Sequence, residues 1–336
     1  MIYKNVELFN VEEAEEFDGG VILQRFTKSA CEDVRGRGSW MVSAAMGCEV
    51  RFVTESDMFW ITFGALDDDV TVYASFGDYS YEKYLIKAGQ RTTLKFENRD
   101  FFDGFDEALM SKFEDRFSHN VWRFYFHSEA PVVFYGLRTM HKEARPLKSD
   151  EAPKIKMLAY GSSITHWCYA MDSRNSYIQQ VARRLNMDVF NKGMAGACRL
   201  EKSMADYLIS KDDWDIAFFE LGINVLNAYT VEEFKEKAEY LVKGICEKNP
   251  EKPVFLTGFY YSGNNLTGFN QKLDDFEEVL KSIKVKYDFK NLHYINGIDI
   301  MDSAEYLCRD FGHPSDYGHI RMGENLSKII SGILER

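Results

Sequence analysis

The hydroxyl of Ser163 follows an apolar run and a glycine, in the string Met157-Leu-Ala-Tyr-Gly161-Ser162-Ser163-Ile164-Thr165. The next helical pattern begins near Ser176, so Ser163 falls where a strand gives way to a loop. A nucleophile is well presented there, because ligands of open α/β sheets bind beyond the carboxyl ends of the strands. Three further stretches carry polar or glycine residues: Asn191-Lys-Gly193-Met-Ala-Gly196, Gly222-Ile-Asn224 and Asp310-Phe-Gly-His313-Pro314. Acyl transfer requires a nucleophilic hydroxyl, a base, a group that orients the base, and donors aimed at the developing oxyanion. Taken singly, these residues have structural uses. Ser163 can cap a helix, Gly196 and Gly222 can turn the chain, Asn224 can close an Asx-turn, and Asp310 can be a solvated loop acid. His313 can simply precede the helix that follows Pro314. Together they supply each part that acyl transfer needs.

The elements that must position them alternate. From Ile155 onward, Ile155–Tyr160, 188–190, 216–221, 254–259 and Leu292–Ile295 are short apolar runs of the kind expected for strands buried on both faces. Between them, Tyr177, Val181 and Leu185 repeat at helical spacing, as do Phe234, Ala238, Leu241 and Ile245, and Leu273, Phe276, Leu280 and Ile283. Thr230-Val-Glu-Glu233 has the form of a capping box. Five strands alternating with helices predict a three-layer α/β domain, flavodoxin-like, with a mainly parallel sheet. Ser163 follows the first strand, 191–196 the second, 222–224 the third, and 310–314 lies beyond the fifth. All four stretches therefore fall at one edge of the sheet.

Residues 1–145 read differently. The runs 58–63, 70–73, 93–96, 122–127 and 132–137 are β-branched and aromatic, several of them alternating, with Trp122, Phe124 and Phe126 on one face. This predicts an antiparallel β-sandwich. The run 101–117 leaves helix and loop both open. Residues 146–154 are rich in charge and include Pro146 and Pro153, the composition of a linker. Residues 155–336 form the second domain.

The second domain resembles the SGNH (GDSL-type) hydrolase superfamily over about residues 155 to 336. Gly161-Ser162-Ser163-Ile164-Thr165 is similar to the family's first block, 191–196 to its second, Gly222-Ile223-Asn224 to its third, and Asp310-x-x-His313-Pro314 to its last. The resemblance implies Ser163 as nucleophile with Asp310 and His313 as the acid and base of a triad. It also implies an oxyanion hole of the Ser163 and Gly196 N–H groups and the Asn224 amide, and no cofactor or metal. A branch of the superfamily carries a jelly-roll-like domain before the hydrolase, as in some carbohydrate esterases and acyltransferases, and the N-terminal sandwich fits that branch. Two positions depart from the pattern: Ser162 stands where the first block usually has aspartate, and Val225 follows Asn224 where the third block usually ends Asn-Asp.

Other residues compete for roles. His166 is the rival base, but it shares a loop with Ser163 and has no acid near it in sequence; with Trp167 it is expected in the pocket wall. Tyr260 and Tyr261 follow the fourth strand and are candidate substrate contacts, against the plainer reading of a surface loop. His313 and His319 are six apart, which does not put both on one helical face, and no cysteine spacing indicates a metal site. Cys198 is expected as buried filler. Asp310-Phe-Gly lacks the companion signatures of a kinase.

Composition sets the limits. The 336 residues carry 41 Lys and Arg against 53 Asp and Glu, a net charge of −12, which argues against nucleic acid or an anionic membrane as partner. Aromatic residues make up 15%, the share expected of a large β core or of sugar-stacking surfaces. No segment has the form of a leader or a membrane span, and the six cysteines form no framework, so a cytoplasmic protein with reduced thiols is expected. The expected activity is hydrolysis of a small acyl ester, an O-acetyl group on a carbohydrate by family analogy, with a small-molecule or oligosaccharide ester as substrate. Acyl transfer by the same triad and a carbohydrate-binding protein with a decayed hydrolase domain are the alternatives. The sequence does not set the oligomeric state.

Overall fold

The structure, a computed structural model, describes residues 1–99, 101–110, 116–267 and 270–334. Backbone contacts divide the chain into two compact units, Met1–Phe26 with Ser43–Lys154, and Thr27–Val42 with the chain from Ile155 onward. Residues 27–42 thus lie within the span expected for the first domain but pack with the second unit. There Asp33 accepts the Ser203 backbone N–H at 3.2 Å and Ser203 donates its hydroxyl to the Ala30 carbonyl at 2.9 Å.

The first unit is a sandwich of two antiparallel sheets. Its strands are Ile2–Tyr3 (β1), Val6–Phe9 (β2), Glu13–Phe17 (β3), Gly20–Gln24 (β4), Glu49–Val53 (β5) and Met58–Ala65 (β6). They continue with Val70–Phe76 (β7), Tyr79–Ile86 (β8), Arg91–Glu97 (β9), Val121–His127 (β10) and Val132–Thr139 (β11). One sheet has the order β1-β2-β5-β10-β7-β8 and the other β3-β4-β11-β6-β9. Trp122, Phe124 and Phe126 share one face of β10, as their alternation predicts, and enter a core with Phe52, Phe59, Phe63 and Phe96. The Phe59 ring stands edge-on to Trp122 with centroids 5.0 Å apart, a favoured aromatic geometry. The run 101–117 contains one helical turn, Glu107–Met110, and its residues 111–115 lie outside the described residues.

The second unit is built on five parallel strands, Ile155–Tyr160 (β12), Met187–Asn191 (β13), Ile216–Glu220 (β14), Val254–Thr257 (β15) and Leu292–Ile295 (β16), in the order β13-β12-β14-β15-β16. Every residue of β13, β14 and β15 is buried, which is why these strands are mostly apolar, the exceptions being Asp188, Asn191, Glu220 and Thr257. The predicted helical periods become Tyr177–Arg184, Val231–Lys248 and Gln271–Tyr287, and the capping box forms, with Thr230 and Glu233 each accepting the other's backbone N–H. The chain leaves β12 toward β13 on one side and β14 on the other, so the sheet order reverses at β12. Ligand crevices open at such a switch point. Among the described residues, no helix is long and apolar enough to cross a membrane.

Candidate active site

Ser163 stands at the reversal point. β12 ends at Tyr160, and Ser162 caps a single helical turn, Ser163–His166, its Oγ accepting the Ile164 N–H at 3.2 Å. Gly161 is required between them. A side chain there would collide with Thr165 Oγ1 and come within 2.7 Å of Glu220 Oε2. The Asn191 side chain then fastens the turn from the neighbouring strand, donating to the Thr165 carbonyl and accepting the Gly193 N–H, each at 2.9 Å.

The base arrives on a loop between short paired segments. Leu307 bridges Pro314, and the Cys308 N–H donates to the His313 carbonyl at 2.8 Å, which fixes the backbone of His313. His313 Nε2 lies 2.7 Å from Ser163 Oγ, and its Nδ1 lies 2.7 Å from Asp310 Oδ2. The other carboxylate oxygen accepts the N–H groups of Gly312 at 3.0 Å and His313 at 3.1 Å. Partial burial alone would raise the acid's pKa, but these N–H donors and the imidazole outweigh it and hold Asp310 down at about 2. Asp310 is thus an anion placed to hold the Nδ1–H tautomer, leaving Nε2 to accept the serine proton. Tyr169 closes the outer side, its ring centroid 5.1 Å from that of His313, and the negative charge of Asp310 nearby raises the pKa of its phenol.

The candidate oxyanion donors sit on neighbouring loops. The Ala197 N–H donates to the Met194 carbonyl at 2.9 Å, closing a turn whose third residue, Gly196, has φ +68°. That is the left-handed conformation a type II turn demands of a glycine. Arg37 Nε donates to the Ala195 carbonyl at 2.6 Å. Asn224 Oδ1 accepts the Cys198 N–H at 3.0 Å, so its amide NH₂ faces the other way, and Asn224 lines the cleft beside Ser163. The cleft has a volume of about 580 Å³ and is walled mainly by Ile164, Ile223, Leu266, Thr267 and Phe311. No lysine or arginine lines it among the described residues.

Beneath the nucleophile lies a buried carboxyl that the sequence reading does not single out. Glu220, the last residue of β14, accepts the Ser162 N–H at 2.7 Å and the Thr165 hydroxyl at 3.1 Å. Since Thr165 spends its proton on Glu220, Tyr177 must donate to Thr165 Oγ1, 2.7 Å away, and Tyr260 donates to the Tyr177 hydroxyl at 3.1 Å. Burial pushes the Glu220 carboxyl up to about 7 against the pull of these donors. The available signal was a lone acid ending the otherwise apolar strand Ile-Ala-Phe-Phe-Glu.

Neither the two residues expected in the wall, His166 and Trp167, nor the two candidate substrate contacts, Tyr260 and Tyr261, line the cleft. His166 is fully buried, because the tight turn after Ser162 carries it back under the loop, where its backbone leaves no room for a side chain at Gly193. Trp167 is half-buried and does not line the cleft. Tyr260 is turned inward to Tyr177, and Tyr261 packs on the unit's core. The stretch just after them, Ser262 to Thr267, supplies that wall instead.

Residues 154–331 match the model of the GDSL-like Lipase/Acylhydrolase family. Among solved structures, the salicylyl-acyltransferase SsfX3 from a tetracycline biosynthetic pathway superposes with a TM-score of 0.81 at 15% identity, covering 98% of this chain and 95% of that one. A family two carbohydrate esterase from Cellvibrio japonicus gives 0.65 at 11% identity, covering 98% and 96%. An acetyl xylan esterase from the rumen bacterium Butyrivibrio proteoclasticus gives 0.60 at 11% identity, covering 100% and 97%. At these identities the likeness is one of fold, and it spans both units. No curated protein matches the chain in sequence.

Proposed function

Because the chain belongs to the GDSL-like lipase/acylhydrolase family and is an ester hydrolase of that type, we propose that Ser163, His313 and Asp310 are its catalytic triad and that it removes a small acyl group, an O-acetyl, from a carbohydrate. The observation that carries this reading is the unbroken hydrogen-bond chain Ser163–His313–Asp310, with both links at 2.7 Å. As Ser163 Oγ attacks the ester carbonyl, His313 Nε2 takes its proton and Asp310 stabilises the resulting imidazolium. The carbonyl electrons move onto oxygen, where the N–H groups of Ser163 and Gly196 and the Asn224 amide receive the negative charge. Collapse of the tetrahedral intermediate breaks the bond to the alcohol, which leaves with the proton from His313. Water then repeats the sequence on the acyl-enzyme and releases the acid. The carbohydrate preference is supported by the shared architecture with the two esterases named above, and a cleft that no lysine or arginine lines among the described residues suits a neutral acetylated sugar.

Acyl transfer is the second reading. It is favoured by the fold likeness to an acyltransferase and by an apolar wall, Ile223, Leu266 and Phe311, on which an acceptor could exclude water. The test of both is hydrolysis of p-nitrophenyl acetate and of acetylated xylan oligosaccharides, with Ser163→Ala, His313→Ala and His166→Ala beside the parent. Loss of at least a thousandfold is expected in the first two variants and not in the third. Retained turnover by Ser163→Ala would overturn the triad. A parent enzyme that acylates an added alcohol faster than it releases acid would favour transfer, and glycan binding without turnover would favour a decayed hydrolase.

A further inference from the structure

The outward face of the sheet β3-β4-β11-β6-β9 carries a groove of about 410 Å³ whose wall joins two aromatic rings, Trp60 and Tyr135, to three cations, Lys4, Arg91 and Arg138. Trp60 and Arg138 are direct cross-strand partners on β6 and β11, and the guanidinium lies 4.3 Å from the indole centroid. Tyr135 sits where the register of β11 shifts between Phe134 and Gly136. Its ring lies down across the sheet, over Gly20 and Gly64, where an added side chain would come within 2.8 Å and 2.9 Å of the ring. The Arg91 guanidinium stacks 3.9 Å from the centroid of that ring. Between them, the hydroxyls of Thr62 and Thr93 pair across the strands at 2.9 Å.

The charge on this face is uncompensated. Among the described residues, no carboxylate pairs with Lys4, Arg91 or Arg138, nor with Lys95 opposite Trp60, whereas Lys87, Arg99 and Lys142 of the same unit each hold an acid. Glu13 and Glu15 of β3 are two strands removed from β11, roughly 10 Å at ordinary strand spacing. The chain as a whole carries a net charge of −12, so this face departs from the protein's overall sign. A guanidinium stacked on an aromatic face keeps its in-plane N–H donors directed outward, held in the fork that matches a carboxylate bidentately. Two such forks and an ammonium around one groove of this size fit a short anion, while the acidic surroundings repel long polyanions such as nucleic acid.

We propose that this groove is a second binding site, distinct from the Ser163 cleft, that takes an acidic oligosaccharide through the carboxylate of a uronic acid. The anion preference follows from the groove alone; the saccharide rests on the carbohydrate reading of the esterase. Arg91 and Arg138 grip the carboxylate, and Thr62 and Thr93 meet the sugar hydroxyls.

The experiment is calorimetric titration of the full chain with three probes, trigalacturonic acid, neutral xylotriose and inorganic phosphate, repeated with Arg91→Ala, Arg138→Ala and Ser163→Ala. Trigalacturonate is expected to bind, to bind at least tenfold more weakly in each arginine variant and in 0.5 M NaCl, and to bind unchanged in Ser163→Ala. The arginine variants should keep parental hydrolysis of p-nitrophenyl acetate, or, if the parent is inactive on that ester, a parental thermal midpoint, which separates failure of this site from failure of the esterase reading. Equal binding of trigalacturonate by parent and arginine variants, or no binding at all, overturns the proposal. Phosphate displacing trigalacturonate at matching affinity overturns its saccharide part, as does equal affinity for xylotriose.

Discussion

Arg37 donates to the carbonyl of Ala195 at 2.6 Å across 158 residues of sequence. A trans peptide points its C=O and N–H in opposite directions, so turning the Ala195 carbonyl toward Arg37 turns the Gly196 N–H away from it. Arg37 thereby fixes the orientation of one proposed oxyanion donor without touching substrate. Arg37→Ala should lower kcat about tenfold and leave KM nearly unchanged, a smaller loss than deleting a donor outright, which costs about a hundredfold or more. Steady-state kinetics on p-nitrophenyl acetate decide it: an unchanged kcat, or a rise in KM alone, removes Arg37 from this role.

Asp310 is held ionised by two backbone N–H groups and the imidazole, at about 2. Asp310→Asn keeps the shape but can present a donor to Nδ1, which favours the tautomer that cannot accept the serine proton. A fall in kcat of roughly ten-thousandfold is expected. Loss of less than tenfold would mean that the imidazole is oriented by other groups.

Tyr169 stands near both working groups, its ring beside His313 and its phenol within the field of the Asp310 carboxylate. Removing only the hydroxyl takes one polar group away from the Asp310 carboxylate, an effect of at most about 1 kcal/mol, so Tyr169→Phe should cost up to about tenfold in kcat. Tyr169→Ala also strips the cover from the imidazole and should cost more. If the two variants are equally impaired, the ring contributes nothing beyond its hydroxyl.

The parallel sheet was legible because strands buried on both faces are apolar for most of their length, and the helices because one face of each repeats at the helical period. The helix Lys202–Ser210 was not legible: its N-cap, Glu201, makes no side-chain capping bond, and the acid at its start is Asp33, from far upstream. β3 and β8 were hidden by exposure, which leaves them no apolar alternation, and β5 by the opposite condition. All five of its residues are buried, two of them the charged pair Glu49 and Arg51 at 2.8 Å. The sequence brought Ser163, Asp310 and His313 to one sheet edge, and the structure joins them by hydrogen bonds. Arg37 had no local signal, since its partner lies in another part of the chain. The wall assigned to His166 failed for a steric reason, the tightness of the turn after Ser162.

Glu220 links the nucleophile loop to pH. Its folded value is about 7, raised by burial from an ordinary 4.5. A raised carboxyl stabilises the fold fully only below its unfolded value, and that contribution is lost as pH rises from about 4.5 through 7. The loss amounts to about 3 kcal/mol. Glu220→Gln retains an oxygen to accept the Ser162 N–H at 2.7 Å but cannot ionise. Relative to the parent, the variant should therefore gain about 3 kcal/mol between pH 4.5 and pH 8, whatever its stability at the lower pH. Urea unfolding of both proteins at the two pH values measures the difference. A gap between parent and variant that stays constant with pH would show that the carboxyl titrates as an ordinary one and that burial does not control it.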